Sequence, residues 1–299
     1  MTEPQGRHCG YAAILGRPNV GKSTLLNRLV GQKLAITSDK AQTTRHSILG
    51  IKTLEQGQIV FVDTPGLHQR ADHAMNRYLN RAAKAVLHNV DVILFVVEAG
   101  RWTGEDEGVL ASVRSVGVPV ILVINKVDRV KDKTSLLPFI ATRSSELEYR
   151  EVIPTSATKG QNIAALEQAV LRCLPPGDNL YPEEQVTERS ERFFAAELLR
   201  EQLTRRYGKE LPYALSVEIE TFQEEGDLYR IGAVVWVERP GQKAILIGKE
   251  GATMKEAARL ARLEMEAMFE HKVYLSVWVK VKRSWSTDES ALARLGYRE

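Results

Sequence analysis

One stretch, residues 16–23, constrains the fold of this chain most strongly. Its sequence is Gly-Arg-Pro-Asn-Val-Gly-Lys-Ser, and it lies between the apolar run 11–15 and the helical pattern 23–30, which Gly31 ends. A glycine-rich loop between a buried strand and a helix presents backbone N–H groups and the positive end of the helix dipole to an anion. The spacing is that of the phosphate-binding loop. We therefore predict a nucleoside triphosphate site here.

The residue types of this loop predict individual roles. Lys22 is expected to reach the β- and γ-phosphates and to act in catalysis, and the Ser23 hydroxyl is expected to bind Mg²⁺. The predicted nucleotide contacts from this segment are Gly16, Asn19, Val20, Gly21, Lys22, Ser23 and Thr24.

Chain length predicts two domains, because 299 residues exceed the usual span of one. We place a nucleotide-binding domain at 1–176, a proline-rich acidic linker at 177–190 and a second domain at 191–299. The net charge of +3 is too small to indicate nucleic acid by itself. Two cysteines without metal spacing favour a reducing cytosol, and no signal peptide or membrane-spanning run is expected.

Two further segments of the first half predict switch loops. The polar stretch 33–47 contains Thr43 and Thr44, either of which can place a hydroxyl on Mg²⁺; Thr44 is favoured, also for a part in catalysis. The hairpin pattern 48–62 ends in Asp63-Thr64-Pro65-Gly66. Asp63 is expected to hold Mg²⁺ and Gly66 to offer its N–H to the γ-phosphate.

Residue 67 raises a question about hydrolysis. Ras-like enzymes carry a glutamine there that orients the attacking water, and Leu67 cannot do so. Another donor, a bound cation or a partner must then contribute. Asn19 is the candidate for the cation, because related GTPases with asparagine at this loop position hold K⁺. We therefore regard Asn19 as a catalytic residue and K⁺ as a candidate cofactor.

Residues 125–128, Asn-Lys-Val-Asp, predict which nucleotide base the site binds. They follow the apolar strand pattern 119–124. An aspartate here accepts two hydrogen bonds from guanine, and adenine offers no such pair. Asn125 is expected to brace the phosphate loop, Lys126 to lie along the base, Asp128 to bind it, and Ser156-Ala157 to offer an N–H to guanine O6. Alternating strands and helices predict an α/β fold with a doubly wound, mostly parallel sheet and the ligand at the strands' carboxyl ends.

The second half predicts a smaller α+β domain. A helical pattern at 189–207 precedes alternating strands at 215–222 and 229–238, a short apolar piece, Gly-Lys-Glu-Gly at 248–251, a helix at 252–270 and a strand at 273–281. This is the order of a type II KH domain, in which a glycine-flanked turn lets a nucleic-acid backbone approach. Tyr274 and Trp278 are expected in the core or the groove wall rather than as stacking platforms. The predicted RNA contacts are Lys243, Ile247, Gly248, Lys249, Glu250, Gly251, Lys255, Arg259, Lys280 and Lys282.

Taken together, these motifs resemble the bacterial Era GTPase family over nearly the whole chain. The resemblance is carried by the phosphate loop, the switch stretches 41–46 and 63–68, residues 125–128 and the KH turn. It implies a slow GTPase that binds 16S rRNA near its 3′ end and acts in assembly of the 30S subunit. It further implies GTP, GDP and Mg²⁺ as ligands and a monomeric cytoplasmic protein with some peripheral contact with the inner membrane.

Two other functions fit the same residues. One is an RNA-binding module whose nucleotide domain is chiefly structural. The other is a membrane-associated signalling GTPase whose KH fold docks protein. If the first is correct, the bound nucleotide does not change RNA affinity. If the second is correct, the protein does not bind RNA.

Overall fold

The structure is a computed structural model that describes residues 6–40, 42–66, 74–87, 89–208, 211–288 and 292. The described residues form two compact units. The first contains those up to 188, and the second contains those from 189 onward. Residues 38–43 and 74–75 group with the second unit.

The first unit is an α/β fold whose elements alternate along the chain. They are β1 (His8–Leu15), α1 (Lys22–Val30), β2 (Ile48–Leu54), β3 (Gly57–Asp63), α2 (Ala74–Val86), β4 (Val92–Glu98), α3 (Gly104–Arg114), β5 (Val120–Asn125), α4 (Leu136–Ser144), β6 (Glu151–Pro154) and α5 (Ile163–Leu171).

Six strands form one sheet in the order β2-β3-β1-β4-β5-β6. All neighbours are parallel except the β2–β3 hairpin, as the predicted doubly wound fold requires. The strands are apolar along their length because helices cover both faces of the sheet. The chain leaves the central strand β1 toward one edge and later returns through β4 to build the other. This reversal places a crevice at the carboxyl ends of β1 and β4, which is where ligands bind in such sheets.

Helix α4 is an element for which the sequence carried no clear signal. Leu136 is its one buried residue among those described, while Leu137 is 70% exposed. Phe139 and Ile140 pack against the core beside Leu136 at helical spacing, but this apolar stripe is about one turn long and includes Pro138, and so short a run does not by itself indicate a helix.

The segment that follows α5 is not extended into solvent. The Ile51 N–H donates to the Val186 carbonyl over 2.8 Å, which adds a hydrogen bond along the edge strand β2. Gln58 both accepts from the Tyr181 N–H and donates to its carbonyl, at 2.9 Å each. Residues 179–187 therefore pack along the first unit, and they cover an edge that would otherwise present unpaired backbone groups.

The second unit has the predicted KH element order. It contains α6 (Glu191–Arg206), β7 (Leu215–Glu225), β8 (Leu228–Val237), α7 (Pro240–Ile247), α8 (Ala252–Phe269) and β9 (Lys272–Val281). β7 and β8 are antiparallel, and β8 and β9 are parallel. The helices cover one face of this sheet, where Val235, Ala257, Ala261 and Met265 are fully buried. Among the described residues no helix is long and apolar enough to cross a bilayer.

Of the two positions expected for Tyr274 and Trp278, the core is wrong, and the groove wall stays a prediction. Their side chains are 55% and 53% exposed, because they alternate along β9 with the residues that face the helices. Strict alternation predicts two faces for a strand but does not say which face is buried.

We predict that Gly57→Ala destabilises the first unit by more than about 2 kcal/mol. Gly57 has φ +148°, and a Cβ there would lie 1.9 Å from the His8 carbonyl oxygen of the neighbouring strand. Urea unfolding measures the change in free energy. The matched control is Gly108→Ala on α3, where a Cβ meets nothing within 4 Å; it should be neutral or stabilise by about 0.5–1 kcal/mol. Equal midpoints for both variants would contradict the prediction.

Candidate functional site

The phosphate-binding loop closes around the side chain of Lys22. Its Nζ donates to the carbonyl oxygens of Gly16 and Arg17 at 2.9 and 3.0 Å, and the residue is 6% exposed. Burial lowers the pKa of Lys22 to about 8, an effect that the nearby Asp63 carboxylate opposes. Among the described residues, the buried ammonium donates to these two carbonyls, and an anion would stabilise its charge, so the loop is suited to phosphate.

Ser23, Thr44 and Asp63 converge beside this lysine. The Ser23 hydroxyl donates to Asp63 Oδ2 at 2.8 Å and lies 2.6 Å from the Thr44 hydroxyl, which is 3.5 Å from the same carboxylate oxygen. Thr43 lies elsewhere, with its hydroxyl 2.6 Å from that of Ser38. Of the two threonines considered from sequence, the structure thus brings Thr44 into the cluster.

The cluster fits a hard cation. Asp63 is fully buried, and in the part of the chain that the structure describes its Oδ1 accepts no hydrogen bond. Burial raises the pKa of Asp63 to about 6, against the opposing effects of Lys22, Ser23 and Thr44. A buried carboxylate oxygen next to two hydroxyls is the donor set that Mg²⁺ prefers.

Gly66 lies against the same loop. A Cβ on Gly66 would come within 2.9 Å of Pro18, so the absence of a side chain is what lets the backbone approach. Leu67 and His68, which follow it, lie outside the described residues.

Residues 125–128 and 156–157 meet at the end of β5. Asn125 donates to the Val20 carbonyl at 2.9 Å and accepts from the Ala157 N–H at 3.0 Å, so one amide joins the phosphate loop to the predicted guanine loop. The Ser156 hydroxyl donates to Asp128 Oδ1 at 2.6 Å, which orients the carboxylate. The structure therefore brings together all the predicted base-binding residues.

Arg28 holds the guanine loop from the side of α1, a role with no sequence signal. Its guanidinium donates to the carbonyls of Ala157 and Thr158 at 3.0 and 2.9 Å. Beside it is a cavity of about 380 Å³. The cavity is lined by Thr24, Asn27, Arg28, Gly31, Gln32, Lys33, Ala157 and Thr158.

A buried ion network that was also missed from sequence supports the phosphate loop. Glu98, at the end of β4, accepts from Arg17 at 2.7 Å and from Lys126 at 3.0 Å. Arg17 also donates to Asp106 at 3.0 Å, and Lys126 Nζ donates to the Asn19 carbonyl at 2.5 Å. Partial burial opposes ionisation of Glu98, but the hydrogen bonds from Arg17 and Lys126 outweigh it and lower the pKa of Glu98. One carboxylate thus connects the phosphate loop to the guanine motif.

The KH turn of the second unit has the backbone that its glycines predict. Gly248 and Gly251 have φ +71° and +76°, and a Cβ on Gly248 would lie 2.2 Å from the Thr253 hydroxyl oxygen. Glu250 between them adopts φ +52°. The turn joins the C-terminus of α7 at Ile247 to the first turn of α8.

The predicted RNA-contacting cations lie on α7, the turn, α8 and β9, and Lys282 directly follows β9. Lys249, Lys255, Arg259 and Lys280 are exposed, and Lys243 and Lys282 are partly exposed. Arg259 is paired with Glu256 at 2.8 Å and Lys280 with Glu220 at 2.6 Å. Exposed pairs of this kind are weak and open readily toward phosphate.

Comparison with known proteins matches both units. Residues 11–126 match the family described as 50S ribosome-binding GTPase, and residues 210–286 match the KH domain family. The chain is similar to GTPase Era of Ectopseudomonas mendocina, with 53% identity covering 99% of both chains. It is similar also to GTPase Era of Azotobacter vinelandii, with 52% identity covering 100% of both.

Two solved structures have the same fold over both units. A point variant of Aquifex aeolicus Era bound to GDP·AlF₄⁻ is 37% identical, with a TM-score of 0.94 over 98% of this chain and 100% of that one. Era in complex with MgGDPNP and nucleotides 1506–1542 of 16S ribosomal RNA is 36% identical, with a TM-score of 0.95 and the same coverage.

We predict that Glu98→Gln weakens binding of GDP and GTP about tenfold, because Arg17 and Lys126 lose the carboxylate that neutralises both while they remain largely buried. Dissociation of a fluorescent guanine nucleotide measures the effect. Glu151→Gln, which removes an exposed pair with Arg172 in the same unit, is the control and should leave binding unchanged. If the two variants release nucleotide at the same rate, the network does not support the site.

Proposed function

This chain belongs to the Era family of GTPases, and from that premise we propose that it is a GTP-driven switch that binds 16S rRNA near its 3′ end and acts in assembly of the 30S subunit. The observation that carries the proposal is the presence of a GTPase-family domain and a KH domain in one chain. The relative with bound MgGDPNP and 16S rRNA supports it, since it is similar over 98% of this chain.

In this proposal each part of the nucleotide site has its own role. Lys22 neutralises the β- and γ-phosphates, and Asp128 and the Ala157 N–H recognise guanine. Asn125 holds the two loops together, as its hydrogen bonds to Val20 and Ala157 indicate. The remaining proposed nucleotide contacts are Gly16, Asn19, Val20, Gly21, Ser23, Thr24, Asp63, Gly66, Lys126 and Ser156.

Ser23, Thr44 and Asp63 would hold the magnesium ion. When bound, the ion would neutralise developing charge on the phosphates. Thr44 lies on the loop that follows α1, and its hydroxyl faces the Ser23 hydroxyl and the Asp63 carboxylate. The loop is therefore ordered on the nucleotide side by the cluster that would carry the metal, which is the arrangement of a γ-phosphate-sensing switch.

Potassium is proposed as an activating ion at Asn19. This residue has φ +64° and belongs to the phosphate loop, where the Asn19 carbonyl is held by Lys126. The side chain would present its amide oxygen to a cation beside the transferring phosphoryl group, in place of the missing glutamine at position 67. A fixed positive charge there stabilises the transition state.

We predict that GTP turnover is at least about tenfold faster in K⁺ than in Na⁺ buffer, because the larger ion suits amide oxygen ligands and supplies charge at the phosphates. Asn19→Gly keeps the left-handed backbone available and removes the ligand. It should lose the K⁺ dependence while it still binds GDP. Equal turnover of the wild type in both salts would contradict a potassium site.

The RNA site is proposed at the KH turn and the basic residues near it. Gly248 and Gly251 bring the backbone close to the RNA, and Lys249, Lys255 and Arg259 contact phosphates. The further proposed contacts are Lys243, Ile247, Glu250, Lys280 and Lys282. Glu250 inside the turn repels phosphate, so part of the affinity must come from other residues.

The switch loop offers a route from the nucleotide to the RNA site. Thr44 belongs to the nucleotide cluster, whereas residues 38–43 group with the second unit. There the Thr43 carbonyl accepts from Arg200 of α6, and Lys40 donates to the Thr204 carbonyl at 2.9 Å. Thr43 groups with the second unit and Thr44 with the first, and the two are adjacent in the chain. A change in the conformation of this loop on hydrolysis would therefore reach α6.

The experiment that tests the proposal measures RNA affinity in two nucleotide states. The full chain is titrated with a single-stranded RNA from the 3′ end of 16S rRNA, first with GDP and then with a non-hydrolysable GTP analogue. We expect tighter binding with the analogue, by at least about fivefold, which corresponds to a coupling free energy of about 1 kcal/mol. Equal affinity would indicate an RNA-binding module with an uncoupled GTPase, and no binding would indicate a protein or membrane partner.

The cellular setting is proposed on the same basis. The domains are 1–176, a linker at 177–190 and 191–299, and the protein is taken to be a cytoplasmic monomer with a peripheral fraction at the inner membrane. Two free cysteines fit a reducing compartment. Fractionation of cells, with and without a salt wash, tests the membrane fraction.

A further inference from the structure

The outward face of β9 carries two large exposed rings. Tyr274 and Trp278 are 55% and 53% exposed, and alternation along the strand places them on the same face. That outward set consists of Lys272, Tyr274, Ser276, Trp278, Lys280 and Lys282. It contains aromatic rings, a hydroxyl and three lysines, and no carboxylate.

The neighbouring strand β8 adds to this face in register. Arg230 is paired with Tyr274 and lies 5.3 Å from its ring centroid, and Trp236 is paired with Lys280 at 5.6 Å. Gly232, which is paired with Ser276, has no side chain, and a Cβ there would lie 3.5 Å from the Trp278 ring. The Trp278 ring therefore lies over β8 at ordinary contact distance, and the neighbour that a Cβ on Gly232 would crowd is the Thr221 hydroxyl oxygen at 2.4 Å.

Charge is distributed unevenly across this sheet. The acidic residues that contact the face come from β7, the opposite edge, where Glu220 reaches Lys280, Glu225 reaches Arg230, and Glu218 accepts from the Trp236 indole. A polyanion that runs along β9 would therefore meet cations and rings, with the carboxylates to one side. The charge of the β9 edge is complementary to a phosphate backbone.

We propose that this surface, defined by Arg230, Trp236, Tyr274, Trp278, Lys280 and Lys282, is a second RNA contact, on which unpaired bases stack while the lysines contact phosphates. The proposal rests on the proposed RNA-binding function and extends it to a face opposite the helices. Exposed aromatic rings interleaved with cations are the means by which proteins hold single-stranded nucleic acid.

Strand β9 links this surface to the elements of the KH turn. Helix α7, which leads into the turn, packs against β9 within the same unit. An RNA strand held at Gly248 and Gly251 would therefore need to pass only one edge strand to reach Tyr274 and Trp278. A second contact also supplies affinity that Glu250 removes from the turn itself.

Protection of the sheet edge explains only part of this arrangement. Lysines on an edge strand prevent pairing with another sheet. They do not require exposed rings beside them. Binding of single-stranded RNA accounts for both, since the rings would stack on bases and the cations would contact phosphates.

The test measures the affinity of the full chain, with GTP analogue bound, for RNA that corresponds to nucleotides 1506–1542 of 16S rRNA. Trp278→Ala should weaken binding about tenfold without changing its salt dependence, because stacking releases no counterions. Lys282→Ala should weaken binding and also lower the salt slope by about 0.7. Leu137→Ala, which truncates an exposed apolar side chain of the first unit, is the control and should bind as the wild type does.

Two further measurements separate stacking from a structural role. Trp278→Phe keeps a ring and should retain most of the affinity, but it should lose the part of the RNA-induced tryptophan fluorescence quenching that comes from Trp278. Melting curves establish that the variants are folded. Gly251→Asp disrupts the KH turn and tests the primary site separately.

The outcomes distinguish the two claims. If the wild type binds RNA, Gly251→Asp does not, and Trp278→Ala and Trp278→Phe behave as wild type in affinity and quenching, the second contact is refuted while the RNA-binding function stands. That result would assign the rings to a protein partner. If the wild type binds no RNA, the proposed function fails and the second contact fails with it.

Discussion

Burial of opposite charges at the carboxyl ends of β1 and β3 is the constraint on which the nucleotide site depends. Lys22 and Asp63 are both withdrawn from water, and burial shifts the pKa of each toward its neutral form. Burying such charged groups costs free energy unless ligands of opposite charge bind to them. The loop backbone and the adjacent hydroxyls hold them in place, so the site is suited to phosphate and a metal ion.

The rigidity of that site comes from residues beyond the motifs themselves. Glu98 joins Arg17 to Lys126, and Asn125 joins Val20 to Ala157, so the phosphate loop and the guanine loops are held as one body. Buried charge networks of this kind contribute specificity of geometry more than stability. In the proposed switch, this division would keep the base-binding side fixed while the loop that contains Thr44 responds to the γ-phosphate.

The second unit divides its sheet between two kinds of surface. One face is covered by helices and supplies the core, and the glycine turn between α7 and α8 is built at the end of that packing. The other face carries exposed rings and cations along β9. An edge strand with unlike faces can take part in the core and in recognition at once, since successive side chains point in opposite directions.

The sequence by itself determined the local parts of this protein. Glycine spacing and apolar runs determined the phosphate loop, the order of strands and helices and the KH turn, because each depends on residues close together in the chain. Helix α4 escaped prediction because its apolar stripe, Leu136, Phe139 and Ile140, is only about one turn long. Only the tertiary structure decided that Thr44 rather than Thr43 joins Ser23, that Glu98 meets both Arg17 and Lys126, and that Trp278 faces outward. These facts depend on which strands are neighbours and in what register, and a pattern of period two or 3.6 carries no information about either.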